Sequence, residues 1–465
     1  MFKPLQDKVI QRLESIVGKE YLLLKEEEKE PYSHDETPGL RALPEAVVKV
    51  KEEIQIQEIL KLAQQEKFPL TPRGGGTGLS GGCVPILGGV VLSLERMNKI
   101  LDIDRKNMMA VVEAGVINGV LQREVEKVNL FYPVNPASMD SCTLGGNVAE
   151  GTGGANTVRY GTTRNYVTGL RVILPSGEVL EVGGKVIKNS TDQNLLHLFI
   201  GSEGILGIVT QIIFRLLPKP SSTLVLIFPL KKLEMAGEIS LYLFQLGITP
   251  TMVEVMDRKT LKFVEEYRQT TLPYRECEAH LLIRLDGDNP EELEKIGVKI
   301  GETFMEEVED ILVLKDPPSQ RRIWELRQSI HDALLHKGKM FADEDVVVPR
   351  TRLKELFAGI QNLAEETGFP IAIFGHLGDG NIHVNFLRGE VSEETAYQRL
   401  PLLLEKLFSL TVSLGGKISG EHGIGVIKKP FLKKSTHPQY LSVLKGIKNQ
   451  LDPYSILNPG KLIPE

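Results

Sequence analysis

Apolar positions recur at helical spacing near the start of the chain. Val9, Ile10, Leu13, Ile16 and Val17 share one face, so a helix is expected over residues 1–30, its charged end at Lys25–Glu30 turned to solvent. A second helical period runs from Ala46 to Gln65 (Val50, Ile54, Ile59, Leu60), and Phe68–Pro72 then reads as a strand entering a glycine cluster, a β-α-β opening. Between Val90 and Val182 short β-branched runs (Val90–Leu94, Ala110–Glu113, Leu170–Leu174, Val179–Val182) alternate with glycine-rich stretches, the last two joined by the turn Pro175-Ser176-Gly177-Glu178. Pro218-Lys219-Pro220 comes after the strand Ile208–Leu217 and marks a domain boundary. Beyond it, strands such as Leu281–Leu285 and Ile311–Leu314 alternate with amphipathic helices such as Glu291–Glu307, the pattern of an antiparallel sheet with helices on one face. The fold class expected is α+β, with domains 1–217, including the N-terminal helix 1–30, and 218–413, and a C-terminal segment 414–465 that packs back on the first.

Composition narrows the field. At 465 residues, with 42% hydrophobic and 25% charged residues, the chain is long enough for two or three globular domains. Its 55 basic and 61 acidic residues, net charge -6, make no field that would gather nucleic acid or anionic lipid. Cys83, Cys142 and Cys277 are isolated, which argues against a disulfide scaffold, a structural zinc site and an iron–sulfur cluster on this chain. No apolar run approaches the ~18 residues that span a bilayer, and no signal-peptide core is present. The expectation is a cytoplasmic protein without a transmembrane segment, reaching a membrane only through a partner.

The run Arg73-Gly74-Gly75-Gly76-Thr77-Gly78-Leu79-Ser80-Gly81-Gly82 can turn backbone N–H groups into one concavity and let an anion approach without a Cβ in the way. Gly76–Gly81 satisfies G-x-G-x-x-G, but the next residues, Cys83–Gly89, do not read as a helix, so the Rossmann reading fails on context. Asn135–Ser138 with Cys142–Asn147 and Gly151–Gly154 make a second loop, Gly201–Ile208 a third. Three such loops in one domain imply an extended ligand. Farther on, Gly375–Asn385 lies between two strand patterns, and the turn Gly378-Asp379-Gly380 can fold His376 back towards His383, two imidazoles for one metal. Two lone histidines more often cap turns. Gly420-Glu421-His422-Gly423 changes that balance by adding a carboxylate ligand and an acid/base group.

These loops resemble those of FAD-linked oxidases of the vanillyl-alcohol-oxidase and p-cresol-methylhydroxylase type, in particular the glycolate oxidase catalytic subunit, D-lactate dehydrogenase and D-2-hydroxyglutarate dehydrogenase group, over nearly the whole chain. The resemblance implies an FAD-binding domain of two α/β subdomains and an antiparallel-sheet cap domain for substrate. It implies FAD contacts at Pro72, Arg73, Gly74, Gly75, Gly76, Thr77, Gly78, Leu79, Ser80 and Gly81, at Pro136, Ser138, Thr143, Gly145, Gly146, Asn147, Ala149, Gly153 and Gly154, and at Glu203, Gly204, Gly207, Ile208, Val209 and Asn458. With no histidine in the first loop, the flavin is expected to be held non-covalently. By the same likeness His376, His383 and Glu421 are metal ligands, His422 the base, Asn385 a substrate contact and Arg327 the group that grips the substrate carboxylate. One departure is Thr191-Asp192-Gln193-Asn194-Leu195, where relatives read Thr-Gly-Tyr-Asp-Leu.

The resulting expectation is oxidation of a D-2-hydroxy monocarboxylic acid, D-lactate or glycolate, to the 2-oxo acid. A divalent metal (zinc, manganese or iron) lowers the hydroxyl pKa, His422 takes the proton and the hydride passes to flavin N5. A monocarboxylate is favoured because Phe341–Asp345, where the dicarboxylate enzyme carries a lysine, is acidic here. Electrons would leave to an electron-transferring flavoprotein or an iron–sulfur subunit. Two other readings share the fold: a flavin-binding companion subunit without its own activity, which should lack the metal and base positions, and a non-redox ether-lipid synthase.

Overall fold

The computed structural model describes residues 2–305, 308 and 310–464. It divides into two compact units: Met1–Thr152, Thr162–Lys219 and Glu421–Glu465 form one, Gly153–Gly161 and Pro220–Gly420 the other.

The β-α-β opening of the first unit starts differently from the expectation. Ala46–Lys49 is a strand and not the first turn of a helix; Ala46, Val47 and Val48 are fully buried, and β-branched side chains suit a sheet covered on both faces. The helix begins at Glu53, where the Glu52 and Gln55 side chains make a capping box, and runs to Glu66. The N-terminal helix is also shorter than residues 1–30. It spans Asp7–Val17, because Leu22–Leu23 leave the helical path to pair antiparallel with Val47 and Val48. Ala46–Lys49, Val90–Ser93 and Leu70–Arg73 run parallel, with Val90–Ser93 in the middle. Leu13 and Ile56, Ile59 and Leu60 of the two helices pack into the same core as this sheet. Next comes an antiparallel sheet in the order Ile100–Asp104, Met109–Glu113, Ile208–Arg215, Val167–Ile173, Val179–Gly183. The C-terminal stretch returns to the first sheet, where Leu457 bridges Leu70 and the buried Lys448 amine binds the Ile205 and Leu457 carbonyls and Asp452.

The second unit is built on a seven-stranded antiparallel sheet, ordered Leu312–Leu314, Ser222–Leu230, Ala279–Gly287, Met252–Asp257, Ile371–His376, Asn381–Leu387, Met340–Val347. Helices cover both of its faces, not one. Val225 and Ile227 join the core under Arg258–Arg268, Pro317–Gln328 and Ile330–His336, while Leu224 and Phe228, on the alternate face, meet Gly297 and Phe304 of Pro290–Phe304. The last residues of the expected helix 291–307 lie outside the described residues. With both faces covered, every residue of Asn381–Leu387 is buried, so the apolar and polar alternation there divides two interiors and not core from solvent.

Candidate functional site

In the first unit the three glycine runs converge. The first leaves the strand Leu70–Arg73, and its glycines are pressed against the second run: a Cβ on Gly74 would stand 2.2 Å from Thr143 Oγ1, and one on Gly75 2.4 Å from the Ser141 carbonyl. The second run is not wholly loop. Leu144–Glu150 is a short helix capped by Thr143, whose Oγ1 accepts from the Gly146 amide at 3.2 Å, so Gly145, Gly146, Asn147 and Ala149 sit on a helix. A Cβ on Gly145 would collide with Ala114. Gly204 of the third run faces Pro72 and Asn458. These contacts bring Pro72, Gly74, Gly75, Thr143, Gly145, Gly146, Gly204 and Asn458 into one neighbourhood of close-packed backbone, the cradle an extended anionic ligand needs.

Several residues expected to touch the ligand carry other contacts. Arg73 donates to the carbonyls of His34 (2.6 Å) and Pro31 (3.0 Å) and to Cys83 Sγ (3.2 Å). Burial pushes the Cys83 thiol up to about 11, which keeps it from acting as a nucleophilic thiolate. Asn458 donates to the carbonyls of Gly82 and Glu203, and Lys461 to Gly82 O (2.9 Å) and Asn458 Oδ1 (2.6 Å). The Glu203 carboxylate is taken up by backbone amides of Ile424 and Gly425. Glu421 and His422 belong to this unit, just upstream of those amides; Gly153 and Gly154 belong to the other. Asp192, Asn194 and nearby Arg164, His197 and Arg215 line a cavity of about 450 Å³, at the end of the strand Ile208–Arg215 opposite Ile208 and Val209.

The second unit gathers polar side chains on one face of its central strands. Cross-strand register sets Glu254 beside His376, His376 beside Asn381, Phe374 beside His383, His383 beside Asp345, and Asn385 beside Asp343. The His376 and His383 ring centroids lie 5.3 Å apart, edge to face. Arg327 arrives from the helix Pro317–Gln328. Arg327 is 4% exposed, its Nε donates to Glu254 Oε2 at 2.7 Å and its guanidinium lies over the Phe374 ring. Glu254 Oε1 also meets His376 Nδ1 at 2.5 Å. Burial alone would raise the Glu254 carboxyl, but His376 and Arg327 together hold it below its usual range. A carboxylate on Nδ1 fixes a histidine's tautomer and presents Nε2, the arrangement found behind metal-ligating imidazoles. Two imidazoles among carboxylates are a donor set that suits a divalent cation.

Sequence reasoning missed Glu254. Its signal was a single charge inside the apolar strand Met252-Val253-Glu254-Val255-Met256. Asn385 is fully buried; its Nδ2 donates to Ala372 O at 3.3 Å, and its Oδ1 finds no hydrogen-bond partner among the described residues. Asp343 pairs with His331 at 3.1 Å, and Asp345 accepts from Ser419 Oγ (3.0 Å) and the Gly420 amide (2.6 Å).

Residues 44–183 match the FAD binding domain, and residues 219–462 the C-terminal domain of FAD linked oxidases. A D-lactate dehydrogenase of Anaerostipes hadrus is 35% identical over 461 residues, covering 98% of this chain and 97% of the relative. Glycolate oxidase subunit GlcD of Bacillus subtilis (strain 168) is 36% identical over 440 residues, 93% of this chain and 91% of its own. In fold the chain is similar to p-cresol methylhydroxylase, with a TM-score of 0.79 at 19% identity over 98% of this chain and 96% of that one. The cradle and the domain matches together define an FAD-dependent oxidoreductase. The chain belongs to the FAD-linked oxidase family, within its D-lactate dehydrogenase and glycolate oxidase GlcD type.

Proposed function

We propose that this protein oxidises a small 2-hydroxy monocarboxylate, D-lactate or glycolate, to the 2-oxo acid in the cytoplasm and hands the electrons to a protein partner, an electron-transferring flavoprotein or an iron–sulfur subunit. The observation that carries the reading is Glu254, fully buried and bonded to both Arg327 and His376. One carboxylate thereby orients a carboxylate-binding group and a metal-type imidazole on the same face.

Arg327 takes the substrate carboxylate through its Nη groups, its Nε being engaged by Glu254. Asn385 contributes a buried Oδ1 to the substrate. Asp343 and Asp345 flank the face and disfavour a second substrate carboxylate. His422 accepts the hydroxyl proton. His376, His383 and Glu421 would hold a zinc, manganese or iron ion, which supplies acidification of the substrate hydroxyl. FAD, held non-covalently, supplies the hydride acceptor.

The test is anaerobic: D-lactate, L-lactate, glycolate and D-2-hydroxyglutarate are added separately to the flavin-loaded protein, with and without prior chelation. Bleaching of the flavin by D-lactate or glycolate, prevented by chelation, is the expected result. A flavin that none of the four bleaches would overturn the reading in favour of a companion subunit.

A further inference from the structure

Immediately after His422 the chain makes a tight passage through the first unit, against segments of all three glycine runs. Glu203 in the third glycine run is 5% exposed; its Oε1 accepts from the Ile424 amide at 2.6 Å and its Oε2 from the Gly425 amide at 2.7 Å. Its own amide donates to Ala149 O on the second run at 2.8 Å, and its carbonyl accepts from Asn458 at 2.8 Å. Burial raises the Glu203 carboxyl, opposed by the two amides and by the Lys428 and Lys461 ammonium groups. Gly423 has φ +79°, and a Cβ there would meet Glu150 Oε2 at 2.5 Å and Glu203 Oε1 at 3.0 Å. Gly425 has φ +50°, and its Cβ would meet Ser80 O of the first run at 2.1 Å. The Val426 amide closes the passage with a 2.8 Å bond to the same Ser80 carbonyl.

All three runs therefore end on the four residues directly after the proposed base. A buried carboxyl group holding two successive amides leaves their backbone little freedom, since releasing either one strands a buried acceptor without its donor. We propose that Glu203 is a positioning residue that couples the flavin cradle to the Glu421–His422 segment, so that a correctly formed cradle sets the backbone from which the proton-accepting histidine projects. The inference rests on the proposed role of His422, but the coupling itself is measurable without it.

The experiment is hydrogen exchange on the FAD-loaded protein, tracking the peptide that contains Ile424 and Gly425, in wild type, Glu203→Ala and Glu203→Gln. Both variants should exchange this peptide at least tenfold faster while the helix Glu393–Ser413 is unchanged and the flavin spectrum is retained. Turnover should show kcat reduced roughly tenfold to a hundredfold with little change in KM, the signature of a displaced catalytic group. Glu203→Gln guards against loss of folding in the alanine variant, because it keeps the shape and one neutral acceptor. From the opposite side, Gly425→Ala should weaken FAD retention, because its Cβ would press on Ser80 O of the first run. Unchanged exchange in flavin-loaded Glu203→Gln, or unchanged FAD retention in Gly425→Ala, overturns the proposal. If His422→Ala keeps normal turnover while the exchange result holds, the coupling stands and only the role of His422 falls.

Discussion

Glu254 shows how one side chain can organise chemistry it does not perform. It sits in an apolar strand with no exposure, and only the guanidinium and imidazole beside it make its charge tolerable there. Glu254→Gln should leave Arg327 a buried cation without its counter-charge, costing about 3 kcal/mol in denaturant midpoints and lowering kcat/KM by roughly tenfold to a hundredfold with weaker metal retention. Wild-type stability and activity in that variant would show the bridge to be incidental. His422→Ala should abolish turnover and leave the bound-flavin spectrum intact; normal turnover would remove His422 from the mechanism. His376 and His383 could be singled out in the sequence because a glycine turn stands between them, and Asn385 only through the family resemblance. Glu254 could not, since the arginine and histidine that explain it lie 73 and 122 residues away along the chain.

Among the secondary elements, the glycine runs are where local sequence and packing agree most closely. Gly75 approaches the Ser141 carbonyl so closely that no side chain fits, and backbone cannot move aside as a flexible side chain could. Gly75→Ala should therefore give protein with little or no FAD, read as flavin absorbance per chain. Gly184→Ala, where a Cβ meets nothing within 4 Å, should retain the full complement. Element type was harder to read where a run could serve two periods. Ala46–Lys49 looked like the start of a helix because Val50 and Ile54 continue a helical spacing; the parallel partner Val90–Ser93, 44 residues on, makes it a strand. The capping of Leu144 by Thr143 turned an expected loop into a helix for a similar reason, glycine content being a poor guide where the backbone has a cap to start from.

Taken as one molecule, the protein carries unusual charge inside its first unit, and that should be visible in its pH dependence. Burial lowers the Lys461 ammonium to about 8 from an ordinary 10.5. Between those values the unfolded chain binds more protons than the folded one, so this group's contribution to stability rises with pH across that interval, and its burial cost is full below pH 8. Relative to Lys461→Met, the wild type should gain up to about 3 kcal/mol from pH 8 to 10.5 in thermal or denaturant melts; parallel profiles would refute it. Among the described residues no helix is long and apolar enough to cross a membrane. What the sequence alone determined was the list of parts: glycine runs able to cradle a phosphate, histidines at turns, strands with their periods, and the family these compose. Such features are legible because they are local, each set by steric freedom or side-chain period within a dozen residues. Tertiary structure alone decided which parts meet: that Arg327 is buried and held by Glu254, that helices cover both faces of the large sheet, and that Glu203 reaches across more than two hundred residues to grip Ile424 and Gly425. Those pairings are choices among distant surfaces, made by burial and charge once the chain has folded.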